Sequence, residues 1–226
     1  DNLLTEPVKL SEENKQELIE NISVASFRLN QQVENLLSMS RLESGFVQPR
    51  KDWVDVTELI YDAINRLDQQ LKNHKINIHI EEDLPLYKLD YTMIEQVIYN
   101  LLYNASIYTP EFTELFITAK NKADKVYQLN TSVDEPSSIK NENCLLVLTI
   151  EDRGPGFPPG ELEKVFDKFY RLNNSKTGGT GLGLSIVKGF VEAHNGTVSL
   201  ENVPHGARFN IEIPAEVSYI NNLKNE

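Results

Sequence analysis

The stretch Cys144-Leu145-Leu146-Val147-Leu148-Thr149-Ile150-Glu151-Asp152-Arg153-Gly154-Pro155-Gly156 decides how this chain is read. Its first seven residues are the longest clear apolar run and read as a buried strand. The run is far short of the roughly 18–20 residues a membrane span needs. It ends at Glu151-Asp152, which places Asp152 at a strand end. Two glycines then let the backbone turn sharply and approach a ligand closely. A carboxylate at such a mouth can accept a hydrogen bond from an exocyclic amine such as that of adenine. An ordinary turn carrying a solvated acid gives the same pattern, so this motif alone leaves both readings open.

On the N-terminal side, residues 120–143 are polar, contain Pro136-Ser137-Ser138, and read as a long hairpin tip or an insertion. They join a strand over Phe112–Ala119 to the returning strand Leu145–Glu151. Before them Tyr91–Tyr108 reads as a helix carrying Asn100 and Asn104, which at i, i+4 share a face. Asn is a mediocre helix former, so two on one face of an apolar helix need a reason. They are either hydrogen-bonded polar residues or amide oxygens for Mg²⁺, a hard cation that prefers oxygen ligands. Residues 57–73 read as a helix, Lys75–Glu81 as a half-buried strand, and Asp83-Leu84-Pro85 as a turn.

On the C-terminal side, residues 160–166 read as a short helix. Phe166-Asp167-Lys168-Phe169-Tyr170-Arg171 interleaves aromatics with cations. It is a core-facing Phe pair with exposed charges, or a Phe pair anchoring Tyr170 for stacking and Lys168 or Arg171 for phosphate. Residues 172–180 form a polar loop. Gly178-Gly179-Thr180-Gly181-Leu182-Gly183-Leu184 then enters a helix over 181–195. Glycines before a helix start expose N–H groups at the positive end of the dipole, a ready anion site. No Gly-Lys-Ser/Thr follows, so this is not a Walker A loop. A hairpin over Thr197–Glu201 and Arg208–Ile213 closes the chain, with a frayed tail expected after Pro214. Strands and helices mixed from residue 53 onward predict an α+β sandwich, a mixed sheet with helices on one face.

At the other end, Ser11 reads as the N-cap of a helix of about thirty residues, with Glu12 and Glu13 in its first turn and Gly45 as its stop. Leu18, Ile22, Ala25, Leu29, Val33, Leu36 and Leu37 form one narrow stripe. The stripe packs on its own domain or, in the sharper reading, on a bundle or dimer partner. The division expected is 1–48 as a partial dimerisation segment and 49–226 as the second unit.

The 226 residues carry 22 Lys+Arg against 34 Asp+Glu, a net charge of −12. That argues against nucleic acid as a partner, since a phosphate backbone is held by Lys and Arg. Residues 164–188 run the other way, with Lys164, Lys168, Arg171, Lys176 and Lys188 against Asp167 alone. The cations are gathered where a polyanion would sit. The single cysteine, Cys144, excludes an internal disulfide framework and suits a reduced, cytoplasmic setting. The chain starts at Asp1, which suggests a piece of a longer protein with any membrane anchor outside it.

Together and in this order, the motifs resemble the catalytic domain of bacterial sensor histidine kinases, within the broader ATPase/kinase group that includes gyrase, Hsp90 and MutL. The likeness covers about residues 11–214. Asn100 and Asn104 look like the N box, and Asp152, Gly154 and Gly156 like the first glycine box. Phe166–Arg171 looks like the F box, and Gly179–Leu184, including Thr180, Gly181, Leu182 and Gly183, like the second glycine box. The resemblance implies a Bergerat-type α/β sandwich with ATP beneath a mobile lid at about 166–183. It implies that Asp152 reads the adenine amine and that Asn104 holds Mg²⁺ with Asn100 assisting. It also implies that Tyr170 lines the base and that Arg171 reaches the terminal phosphates, with Lys168 a further candidate for phosphate from its place in the segment. The stretch Asn35–Gly45 looks like the end of a second dimerisation helix and, with Trp53, is similar to the potassium-responsive branch of the family. The implied partners are a second copy in the full-length protein and a response-regulator receiver domain.

Two departures stand out. His74, His79, His194 and His205 all lack the family's phosphoacceptor context, so the acceptor His is expected upstream of this chain, which alone would not phosphorylate itself. His194, at a helix end, reads as structural. Ile107 stands where the family often has Lys or His for phosphate. Phosphoryl transfer to His is the favoured reading. An ATP-hydrolysing machine is the second, and Asn100 counts against it because an amide is no general base. A degenerate nucleotide-binding regulatory module is the third, kept open by Ile107.

Overall fold

The computed structural model describes residues 11–45, 47–123, 143–172 and 179–219. The long helix α1 runs Glu12–Glu43, with the Ser11 hydroxyl accepting the Asn14 N–H at 3.2 Å and Arg41 in its last turn. Both ends thus complement the helix dipole. Gly45 follows at φ +68°. Strand β1 (Asp52–Val54) leads to α2 (Val56–Arg66), capped by Asp55 at 2.7 Å from the Thr57 nitrogen. A single turn α3 (Asp68–Leu71), β2 (Lys75–Ile80) and β3 (Leu86–Leu89) precede α4 (Tyr91–Tyr108). Then come β4 (Glu114–Ala123), β5 (Asn143–Asp152), a 3₁₀ turn (Lys164–Phe166), α5 (Gly183–Ala193), β6 (Thr197–Val203) and β7 (Gly206–Ser218).

The seven strands form one mixed sheet in the order β1-β3-β7-β5-β4-β2, with β6 also paired to β7. Only β2–β4 is parallel. Alternation along β5 and β7 buries Leu146, Leu148, Ile150, Ile211 and Ile213 beneath the helices. From that layer α2 contributes Leu59 and Ile60, α4 Val97 and Leu101, and α5 Ile186 and Val187, all essentially inaccessible to water. Each such side chain contributes about 1.5–3 kcal/mol. His194, fully buried at the end of α5, ties the layers together. Its Nδ1–H donates to the Phe190 carbonyl at 2.8 Å, and its Nε2 accepts the Asp90 N–H at 3.1 Å, at the cap of α4.

Three expectations are corrected. The helix expected over 57–73 is broken at Leu67 (φ −108°, ψ 17°), where the amide bonds back only three residues, to Ile64. The helix expected at 160–166 contracts to three residues, because Asp167 leaves in extended conformation. The fraying expected after Pro214 is not seen up to Tyr219, and residues 220–226 lie outside the described residues. Strand β7 continues to Ser218, pairing Val217 with Tyr87 and Pro214 with Leu145. The β6 pairing has ended at Glu212 and the β3 pairing starts at Val217, so the missing Pro N–H breaks no ladder bond on that edge. Strands β1 and β3, with three and four residues, are too short to announce themselves by alternation. The insertion expected between β4 and β5 lies outside the described residues over 124–142.

The apolar stripe of α1 does not turn inward. Leu29 is 60% exposed, and Leu18, Ile22, Val33, Leu36 and Leu37 are exposed too. The face that packs carries Phe27, Gln31, Asn35 and Met39, four residues apart. Phe27 meets Tyr103 of α4 at 6.0 Å between ring centres, and Met39 meets Ser185 of α5. Among the described residues, no helix is long and apolar enough to cross a membrane.

Candidate functional site

Helix α4 runs past two clusters that the sequence marks separately. At its C-terminal end is the Asp152 turn. The Asp152 Oδ1 accepts the Gly154 N–H at 2.8 Å, and the backbone N–H of Ala207 on β7 also favours the charged carboxylate. Burial pushes the Asp152 carboxyl above its ordinary range, while those two N–H groups oppose the shift. The neighbouring cations serve Glu151 instead, Arg208 at 2.7 Å and Arg153 at 3.7 Å. The acceptor at the strand end is therefore oriented by backbone rather than by an ion pair. Gly154 is required by space: an added β-carbon would sit 2.7 Å from both Asp152 Oδ1 and Thr109 Cγ2. Gly206, at φ +139°, is required even more strictly, since a β-carbon there would lie 1.8 Å from the Asp152 carbonyl oxygen.

At the second cluster, α5 starts at Gly183, and among the described residues no side chain caps it. Thr180 Oγ1 accepts the Leu182 N–H at 3.3 Å, just before the helix. The remaining first-turn N–H groups lie at the positive end of the helix dipole, where negative charge is favoured. Asn100, 3% exposed, donates from Nδ2 to the Gly183 carbonyl at 3.4 Å and accepts from Gln96 Nε2 at 3.2 Å. Asn104 comes to the same glycine: a β-carbon on Gly183 would lie 3.9 Å from its Nδ2 and 4.0 Å from its Oδ1. Asn100 lies nine residues before Thr109, the C-cap of α4, an axial span of about 14 Å.

The aromatic and cationic segment is only partly gathered in. Phe166 packs edge-on against Phe209 at 6.4 Å. Phe169, expected to form an anchoring pair with it, is 66% exposed at φ +63°. The reason is the pairing of the two motifs. The Phe169 N–H donates to the Gly181 carbonyl at 3.0 Å, and at Gly181 (φ +71°) a β-carbon would strike the Phe169 carbonyl carbon at 2.6 Å. Tyr170 is half-buried and Arg171 exposed, its Nε 4.0 Å from a β-carbon built on Gly179. Lys168 is ion-paired with Glu43 of α1 at 3.0 Å. Gly156 (φ +70°) closes the Asp152 turn against Asn202, whose amide bonds both ways with Phe157. Lys176 and Gly178 lie outside the described residues. Ile107 is half-buried and supplies no charge.

Sequence reasoning missed Thr109, Gly206, Ala207 and Glu43. A His-Gly turn before the last strand was the available signal for Gly206. Nothing local marked Glu43, because its partner is 125 residues away. Among the described residues, no group of three His, Cys, Asp or Glu could hold a metal. A cation here would draw on amide oxygens and on its ligand.

A two-layer α/β fold thus holds an oriented carboxylate beside the end of α4 and the start of α5 beside Asn100 and Asn104. Residues 89–217 match the family described as histidine kinase-, DNA gyrase B-, and HSP90-like ATPase, and the chain belongs to that family. It is 36% identical over 213 residues to the sensor protein KdpD of Clostridium acetobutylicum, covering 92% of this chain and 21% of that protein. The chain spans about a fifth of the length of the curated relatives it matches. Its fold is similar to that of full-length ShkA in complex with AMPPNP, with a TM-score of 0.68 and 22% identity, over 93% of this chain and 40% of that one. It is also similar to histidine kinase ThkA in complex with the response regulator protein TrrA, with a TM-score of 0.61 and 23% identity, over 91% and 52%.

Proposed function

We propose that this chain is the nucleotide-binding part of a sensor histidine kinase, which binds Mg-ATP and passes the γ-phosphoryl group to a His on a dimerisation helix. The observation that carries this is α4 itself, with the Asp152 turn at Thr109 and the uncapped start of α5 at Asn100 and Asn104. Asp152 accepts from the adenine amine. The first-turn N–H groups of α5 bind phosphate oxygens, helped by Arg171 and Thr180, with Lys168 available once it leaves Glu43. Leu182 and Gly183 present that helix start, and Tyr170 lines the base.

Asn104 supplies the oxygen for Mg²⁺. Asn100, already engaged by Gln96 and Gly183, holds α5 against α4 beside it. When bound, Mg²⁺ neutralises phosphate charge and orients the terminal phosphoryl group. Phosphoryl transfer needs little more than such positioning and charge neutralisation. A neutral imidazole is a competent nucleophile, so the protein has no need to activate water. Asn100, as an amide, could not act as that base.

The exposed stripe of α1 supports a second copy as its partner in the full-length protein, with residues 1–48 acting as the dimerisation segment. The ThkA likeness supports a response-regulator receiver domain as the downstream acceptor, and a cytoplasmic location goes with that reading. The test is transfer from γ-labelled ATP to a supplied helical hairpin carrying the acceptor His. Acid-labile label on the hairpin is expected. Phosphate release with no label on the hairpin would favour the hydrolase reading.

A further inference from the structure

The segment just before β2 is stitched to the loop that leaves α4. The Phe112 N–H donates to the Asn73 carbonyl at 2.6 Å, and the Lys75 N–H to the Thr113 carbonyl at 3.2 Å. The Asn73 amide donates to Glu111 at 3.2 Å. At the centre, His74 Nε2 lies 3.0 Å from Thr109 Oγ1. The Thr109 hydroxyl proton is already committed to the Ala105 carbonyl at 2.7 Å, so Nε2 must be the donor and Thr109 the acceptor. Burial holds His74 below its ordinary pKa, in line with a neutral ring carrying one proton. Its Nδ1 is buried and has no partner among the described residues.

Thr109 has two faces. Its hydroxyl receives His74, and its methyl packs where Gly154 has no room for a β-carbon. Gly154 in turn donates its N–H to the Asp152 carboxylate. Thr109 and Gly154 line one cleft of about 470 Å³ with Tyr108, Pro110, Arg153 and Pro155. We infer that His74 is a positioning residue for base recognition. Its N–H fixes the Thr109 rotamer, the Thr109 methyl seats Gly154, and Gly154 aims Asp152 at the exocyclic amine of the base. The inference rests on the reading of Asp152 given above and assigns the device that sets its precision.

The test is calorimetric titration of the chain with ADP and with IDP, whose base carries a carbonyl oxygen in place of the amine. His74→Leu should weaken ADP about fivefold, the loss of one net hydrogen bond, and narrow the preference for ADP over IDP by the same factor. His74→Gln keeps a donor near the Nε2 position and should restore both to within about twofold. Thr109→Val keeps the methyl and loses the acceptor. It should match His74→Leu, and the double variant should be no worse than either single one. An unchanged ADP preference in folded His74→Leu and Thr109→Val would overturn the inference, even if both melt lower. So would a Gln variant as impaired as the Leu one. A wild-type chain that binds ADP and IDP equally would overturn the Asp152 reading and this inference with it.

Discussion

Lys168 Nζ lies 3.0 Å from Glu43 Oε1, which joins the segment after the 3₁₀ turn to the last turn of α1. Both groups are about half exposed, so the pair contributes at most about 1 kcal/mol. It nonetheless occupies a cation proposed to face phosphate. Glu43→Gln should therefore tighten an ATP analogue by no more than about fivefold at low salt, and the gain should vanish at high salt. Weaker binding in the variant, measured by calorimetry, would show that Glu43 supports the site rather than competing with it.

Leu42 of α1 packs over Gly189 of α5: a β-carbon on Gly189 would lie 2.7 Å from both Leu42 methyls. A mid-helix glycine is about 1 kcal/mol worse than alanine, so it stands here because Leu42 does. Gly189→Ala alone should be neutral or destabilising. Gly189→Ala with Leu42→Ala should recover about 1 kcal/mol relative to Leu42→Ala alone. Urea midpoints of the four proteins measure this, and simple additivity would contradict it.

Gly206→Ala should be among the most damaging single changes in the molecule. It combines φ +139° with a 1.8 Å clash against the Asp152 carbonyl. A loss of about 3 kcal/mol or more is expected, together with loss of nucleotide binding. Thermal melting with and without nucleotide reads both, and a variant of native stability would contradict the geometry.

His194 and His74 are both held below their ordinary pKa of 6.5, chiefly by burial. In the unfolded chain they take up protons near pH 6.5, and in the folded chain only at lower pH. Stability should be fully present above about pH 6.5 and fall as pH drops through the window below it. His194→Gln should lower stability at pH 7.5 and make the acid-side slope shallower. An unchanged slope between pH 6.5 and 5.5 would sink this assignment.

The parts of the fold carried by long periodic segments were legible in the sequence. Helix α4, strand β5 and the Asp152 turn announce themselves by hydrophobic period and glycine placement. The α1 stripe was legible as apolar, but not the face that packs. Gln31 and Asn35 are buried because Gln31 donates to Asn35 at 3.1 Å, and polar residues satisfied by each other carry no hydropathy signal. Likewise the short strands β1 and β3 exist only because β7 runs on past Pro214 to meet β3. The outward turn of Phe169 follows from its backbone bond to Gly181, a contact between motifs that neither motif reveals alone. His74 is invisible to pattern reading because its role depends on a hydroxyl 35 residues away.

The most direct test of the account is calorimetric titration with a non-hydrolysable ATP analogue, with and without Mg²⁺, on the wild type and Asp152→Asn. The account predicts Mg²⁺-dependent binding to the wild type. It predicts binding at least about tenfold weaker in Asp152→Asn, because a charged acceptor is lost. That variant should melt no lower than the wild type at pH 7, since burial penalises the ionised Asp152. No binding to the wild type, or equal binding by the two proteins, would contradict the central claim that Asp152 and the start of α5 together form a Mg-ATP site.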